Sequence, residues 1–184
     1  MNKEMSKVTI HMVSSLDGFV AGKDGDVSWL KSTDHYEKGI TLTEEAITEF
    51  VQSIDCYIMG SHTYEKALEL GWPYGETPVI VLTSRGLTSD RASVKFYSGD
   101  LTELVNGRLK GHYKNIWMVG GAAATKTFLQ LGLADDIIVS IMPVIVGSGT
   151  LFFDFVGLEQ RLHLKDVTTY KDGMVELWYE VKRD

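Results

Sequence analysis

A single cysteine, Cys56, in 184 residues excludes an intrachain disulfide framework and any zinc site built from several thiolates. It lies in the apolar run "DCYIMG" and reads as a small buried hydrophobe. Prolines number three, Pro73, Pro78 and Pro143, and no Pro/Ser-rich linker, repeat or low-complexity tract breaks the chain. One continuous domain over residues 1–184 is therefore expected. Uninterrupted apolar runs fall well short of the roughly 18 residues that a membrane span needs, and no signal-like segment opens the chain. The expectation is a cytoplasmic protein without a membrane partner. Positive charge is also scarce: 18 Lys and Arg against 25 Asp and Glu leave a net charge of −7 and a pI near 5.2. That balance argues against nucleic acid. His11 and His62 are not at metal-ligand spacing from any other His or Cys, so no metal is expected. Both common phosphate-binding fingerprints, G-x-G-x-x-G and G-x-x-x-x-G-K-[ST], are missing.

What is present is an alternation of strand and helix patterns. "KVTIHMVSS" (7–15) is rich in β-branched residues and stops at the turn signal "LDG". A long aperiodic stretch with two glycine turns follows, of the kind that carries function. Thr43 caps a helix whose Ala46, Ile47, Phe50, Val51 and Ile54 fall at helical spacing. Strand patterns at 55–60, 77–84, 93–99 and 115–121 alternate with helical ones at 61–70, 100–110 and 122–132, the last closed by Gly132. Three strand patterns end the chain, at 135–147, 161–171 and 173–182, the last two joined by the Lys171-Asp172-Gly173 turn. The order predicts an α/β fold with a mixed, mostly parallel central sheet flanked by helices and antiparallel strands at the C-terminus. The last strand sets Met174, Glu176, Trp178 and Glu180 against Val175, Leu177, Tyr179 and Val181, so one face carries charges that solvent would accommodate.

Three strand-to-helix junctions, "YIMGSHTYE", "VIVLTSRG" and "WMVGGAAATKTFL", set small and hydroxyl residues at strand carboxyl ends, where open α/β sheets bind ligands. A helix N-terminus offers free N–H groups to a phosphate, and glycine lets the phosphate approach the main chain. A Gly-Gly pair alone is equally explained by a tight turn.

The set of junctions resembles a known superfamily. "IMGSHTYE" resembles the dihydrofolate reductase motif Met-Gly-Arg-x-Thr-x-Glu, and "FLQLGLADDIIVSIMPVIVGSGTLFF" resembles the reductase domain of the bifunctional riboflavin-biosynthesis deaminase/reductases. "VTIHMVSSLDGFVAG" is similar to that family's Ser-Leu-Asp-Gly strand end. The likeness runs from Val8 to about Val181. It implies a dihydrofolate reductase-like fold and an NADPH-dependent reductase, acting on a small pterin-like, aminopyrimidine-like or sugar-derived substrate, of which 5-amino-6-(5-phosphoribosylamino)uracil is one. By the same resemblance Gly60, Ser61, His62 and Thr63 meet the cofactor phosphates. Leu82, Thr83, Ser84 and Arg85 lie under the adenosine half, and Gly120, Gly121, Ala122 and Ala123 lie against the pyrophosphate and nicotinamide ribose. Arg85 suits a 2′-phosphate, since guanidinium binds phosphate as a fork; otherwise it is a solvated loop residue. The family also implies a homodimer.

Departures from the pattern bear on function. His11 stands where the riboflavin reductases carry Lys, and Ser61 stands in place of the Arg of Met-Gly-Arg. The P-C-x-x-C motif of the deaminase half is absent. These departures admit a second reading, a nucleotide-binding sensor or interaction module without catalysis. Candidates on the substrate side are Glu44, with Glu45 beside it, and Asp17. An apolar pocket would raise the pKa of Glu44 or Glu45 for proton delivery; alternatively both complement the helix dipole. Asp17 either binds substrate hydroxyl or amine groups or caps a turn. Trp29, Tyr36, Trp72 and Tyr74, in loop patterns, are candidates to stack on a planar ligand or to pack at the core edge.

Overall fold

The computed structural model describes residues 5–183. Its strands are β1 (Lys7–Ser15), β2 (Phe19–Ala21), β3 (Cys56–Gly60), β4 (Val79–Leu82), β5 (Val94–Tyr97), β6 (Asn115–Gly120), β7 (Asp136–Met142), β8 (Thr150–Leu151), β9 (Leu162–Thr169) and β10 (Val175–Val181). The α-helices are α1 (Glu44–Gln52), α2 (Ser61–Glu69) and α3 (Ala122–Gln130). Eight strands form one sheet in the order β5-β4-β3-β6-β1-β7-β10-β9, and β2 pairs with β8 alongside it. From β5 to β7 all neighbours are parallel, whereas β10 runs antiparallel to both β7 and β9. This is the expected mixed sheet.

Parallel strands are covered on both faces, so they need apolar residues in sequence rather than alternation. Cys56, Tyr57, Ile58 and Met59 are all buried, as are Val79, Ile80 and Val81. The pleat then sorts them. Val8, Ile10, Ile58 and Met118 join Phe128 and Leu129 of α3 on one face. Tyr57, Met59, Val79 and Val81 meet Tyr64 and Ala67 of α2, with Trp72, on the other. Cys56 lies in the first cluster, and burial pushes its thiol up to about 12, as a small hydrophobe rather than a nucleophile.

Several boundaries differ from the sequence reading. The strand expected over 135–147 ends at Met142, because Pro143 has no N–H to continue a ladder. The helix expected over 100–110 is a π-helix over Glu103–Leu109, with Lys110 N–H donating to the Val105 carbonyl at 2.9 Å. The aperiodic stretch before α1 is tied to the β9–β10 hairpin: Tyr36 N–H donates to the Lys171 carbonyl at 2.7 Å, and Ile40 and Tyr170 form a bridge. Gly39 is required there, since a Cβ would lie 2.3 Å from the Tyr170 carbonyl carbon. Trp72 is buried and contacts Tyr64 and Tyr74, so core packing accounts for this ring. Among the described residues no helix is long and apolar enough to cross a membrane.

Candidate functional site

At the carboxyl ends of β3 and β6 the chain passes directly into helices. Gly60 and Gly121 are the N-cap residues of α2 and α3, and neither helix has a side-chain cap. By contrast, α1 is capped by its own Thr43, whose Oγ1 accepts from Ala46 N–H at 3.2 Å. The two uncapped ends are adjacent. A Cβ on Gly60 would stand 3.8 Å from Gly121 N, and one on Gly121 would stand 3.5 Å from Thr63 Oγ1. Two helix dipoles thus bring their positive ends to one place, with glycine at both approaches. These separations are ordinary contacts, so the protein's own packing does not demand glycine at either position.

Gly120 differs. It is buried, has φ +124°, and a Cβ there would lie 2.7 Å from Met12 Cε. Its lack of a side chain is required by backbone conformation, with the Met12 side chain filling the space a Cβ would take, a demand from inside the sheet. Among the residues expected beside it, Gly121 and Ala122 are half-buried and Ala123 is exposed. Ser61 and Thr63 are half-buried and His62 is exposed at the start of α2. Leu82 ends β4, and Thr83 Oγ1 accepts from Arg85 N–H at 3.0 Å, shaping the loop that carries the exposed Ser84.

Arg85 is no simple solvated loop residue. Its guanidinium lies 2.8 Å from the Glu65 carboxylate of α2, joining the β4 loop to the helix. The hydrogen bond from Arg85 holds the Glu65 carboxyl below its usual range, and Arg85 is raised in turn. Both side chains are more than a third exposed, so the pair contributes little stability.

Glu44 and Glu45 are exposed in the first turn of α1, a helix with no buried residue. The apolar pocket that proton delivery from either would require does not surround them, and their position matches a complement to the helix dipole. Asp17 is engaged by backbone and side chain. It accepts from Ser15 Oγ at 2.6 Å, from Val146 N–H at 3.0 Å and from Gly147 N–H at 2.7 Å. The Ser15 hydrogen bond leads the causes that hold its carboxyl below the usual range. Asp17 therefore clasps the 146–147 turn to the end of β1, a capping role across chain segments.

The sequence reading missed a polar cluster on the α1 face of the sheet. His11 Nε2 is 3.2 Å from Ser140 Oγ on β7 and 3.4 Å from Glu176 Oε2 on β10. Ser140 donates to the same Glu176 oxygen at 2.8 Å, and Tyr170 hydrogen-bonds to Glu176 as well. The hydrogen bond from His11 leads the causes that hold the Glu176 carboxyl below its usual range, against the opposing effect of burial. Glu176 thus faces inward, correcting the expectation that its strand face simply meets solvent. Glu180 on the same face is exposed. The ring of His11 stacks on Trp117 at 5.2 Å and meets the edge of Phe50, from α1, at 5.4 Å. Its Nδ1 is buried without a hydrogen-bond partner among the described residues, which costs about 1–3 kcal/mol. Ser140 was the available signal: it is the one hydroxyl inside the apolar run "IIVSIM".

Comparison with known proteins places this architecture. The RibD C-terminal domain family matches residues 6–176. The chain belongs to that family. Uncharacterised proteins of Bacillus subtilis (strain 168) are similar along nearly their whole length. YwjB is 30% identical over 177 residues, covering 94% of this chain and 97% of YwjB. YyaP is 28% identical over 195 residues, covering 97% and 96%. Among solved structures, a protein from Shewanella sp. PV-4 assigned to riboflavin biosynthesis superposes with a TM-score of 0.81 at 22% identity, over 96% of this chain and 99% of that one. The Thermotoga maritima diaminohydroxyphosphoribosylaminopyrimidine deaminase/5-amino-6-(5-phosphoribosylamino)uracil reductase superposes with a TM-score of 0.70 at 16% identity, over 98% of this chain and 58% of that one. The fold of this RibD C-terminal-type domain is therefore dihydrofolate reductase-like. Among its described residues, no group of three or more His, Cys, Asp or Glu is placed to hold a metal ion.

Proposed function

We propose that the protein is an NADPH-dependent reductase of a small heterocyclic or sugar-derived substrate, of the riboflavin-biosynthesis reductase type. The observation that carries this reading is the pair of adjacent, uncapped, glycine-started helices at the ends of β3 and β6. One such terminus suits any anion, whereas two side by side suit the two phosphates of a dinucleotide. The residues present fit that group: Gly60, Ser61, Thr63 and Gly121 would hold the pyrophosphate, and Leu82 to Arg85 the adenosine end. When bound, the cofactor supplies hydride. The protein's part is to hold the nucleotide against backbone donors, to offer Arg85 to a 2′-phosphate and to keep a proton available beside the substrate. We propose further that the protein acts as a homodimer in the cytoplasm. The half-exposed Leu162, Leu164 and Val167 of the edge strand β9 are a surface for a second copy.

Titration with NADPH and NADH, followed by protein fluorescence, tests the cofactor assignment. Saturable NADPH binding that weakens in Arg85→Ala about tenfold, with NADH unaffected, is expected for the loss of one charge-assisted phosphate contact. No binding of either nucleotide to the wild-type protein would remove the reading.

A further inference from the structure

The arginine at the adenosine end of the proposed cofactor site is already engaged. Arg85 Nη2 lies 2.8 Å from Glu65 Oε2, and solvent reaches both side chains. Gly60 of β3 pairs with Leu82 of β4, so the loop that carries Arg85 leaves the sheet beside the uncapped start of α2. Thr83 N–H donates to the Tyr97 carbonyl at 3.0 Å, and Thr83 Oγ1 accepts from Arg85 N–H, which fixes the loop at both sides. On α2, Tyr64 and Ala67 turn into the core, and Glu65 follows Ser61 by one turn on the same helix face. Five residues at about 1.5 Å of rise each set Glu65 about 7 Å along the axis from Gly60, a distance that one ribose spans.

Charge decides what this pair can recognise. The hydrogen bond from Arg85 holds the Glu65 carboxyl below its usual range, with a smaller contribution from His62, so at neutral pH its oxygens only accept. An accepting carboxylate suits a ribose hydroxyl and repels a phosphate, whereas a guanidinium attracts the phosphate. Ser61, on the same face as Glu65, adds no charge. Glu65 therefore offsets Arg85 at the place where a 2′-phosphate would need a net cation. An ion pair this exposed opens at small cost, so either member is free to turn to a ligand.

From this geometry we infer that Glu65 is the specificity-determining residue of the cofactor site, and that its pairing with Arg85 admits NADH beside NADPH. The inference rests on the reductase reading above and deepens it. With NADPH, Arg85 leaves Glu65 for the 2′-phosphate, and the carboxylate left beside it opposes part of the gain. With NADH, Arg85 stays paired and a Glu65 oxygen accepts from the ribose 2′-hydroxyl. The two dinucleotides bind within about tenfold of each other.

The test measures dissociation constants for NADPH and NADH, by protein fluorescence at one ionic strength, in the wild type, Glu65→Gln and Arg85→Ala. Glu65→Gln keeps the size of the side chain and an acceptor for Arg85, removes the charge, and alters only an exposed position of α2. It is expected to raise the preference for NADPH over NADH at least about fivefold, chiefly by tighter NADPH binding. The ratio is the readout because the two nucleotides differ only at the 2′ position, and a merely structural role for the pair would move both constants together. Arg85→Ala is expected to bring the preference to one or below. A wild-type preference for NADPH far beyond tenfold, or a ratio that Glu65→Gln leaves unchanged, would overturn the inference and leave the cofactor reading intact. Binding of neither nucleotide to the wild type would remove both.

Discussion

The two ends of the central sheet use polar groups in opposite ways. At the amino end, Asp136 is 1% exposed and is bonded by Lys7 at 3.3 Å, Lys165 at 2.9 Å and Trp178 Nε1 at 3.0 Å. Asp135 next to it accepts from Val8 N–H and pairs with Lys110 and Arg183. At the carboxyl end, two helices start on glycine with no side-chain cap, and the buried Nδ1 of His11 has no partner among the described residues. A cavity of about 1420 Å³, lined by Lys7, Lys110, Tyr113, Asp135, Asp136 and Arg183, lies at the amino end. The saturated end closes the fold, whereas the end with two glycine-started helices leaves main-chain donors open and is the end at which we propose that the ligand binds.

Breaking the amino end should cost stability and nothing else. Asp136→Asn removes the carboxylate that neutralises Lys7 and Lys165 around a buried position, and a loss of about 3 kcal/mol in urea unfolding is expected. Nucleotide affinity should be unchanged. A variant of wild-type stability would mean that the lysines reach solvent freely and that the amino end is not a clasp.

The carboxyl end offers a sharper contrast between adjacent glycines. Gly120→Ala forces a Cβ at φ +124° into Met12 and should cost about 2 kcal/mol of stability. The Cβ of Gly121→Val meets only Thr63 Oγ1, at ordinary contact distance, and the variant should fold while losing at least about tenfold in NADPH affinity. Unfolding curves and nucleotide titrations on both variants check the pair. If Gly121→Val bound NADPH as well as wild type, the open face above α2 and α3 would not be the cofactor's.

Much of this architecture is written in local patterns. The succession of strands and helices along the chain, the parallel-to-antiparallel switch and the glycine junctions follow from periodicity and turn residues, which act over a few positions. What escaped was set by partners distant in sequence. Gly120 and Gly121 look alike in "VGGA", and their roles are separated by the positive φ of Gly120 and by Met12, over a hundred residues earlier. Glu176 resembles any solvent-facing strand residue until β7 and β1 bring Ser140 and His11 beneath it. Asp17 was legible as a turn residue, but the turn it holds, at 146–147, belongs to another part of the chain.

The smallest expected effect concerns Glu176, which straddles both roles by being paired like the amino end while standing beside the site. Its carboxyl is held below the ordinary range by the hydrogen bond from His11, then by that from Ser140. A carboxyl depressed on folding contributes stability that is fully present above its unfolded pKa, near 4.5, and is lost as pH falls through the lower folded value. Glu176→Gln should therefore be less stable than wild type by about 1 kcal/mol at pH 7, the worth of a hydrogen bond exchanged for a weaker one. That gap should persist to about pH 5 and close progressively below pH 4.5, as read from urea unfolding at several pH values. A gap that was constant down to pH 3 would trace the cost to packing around β10 instead. A gap that closes as predicted would trace the stabilisation to the charge of Glu176 and to the hydrogen bonds it accepts from His11 and Ser140.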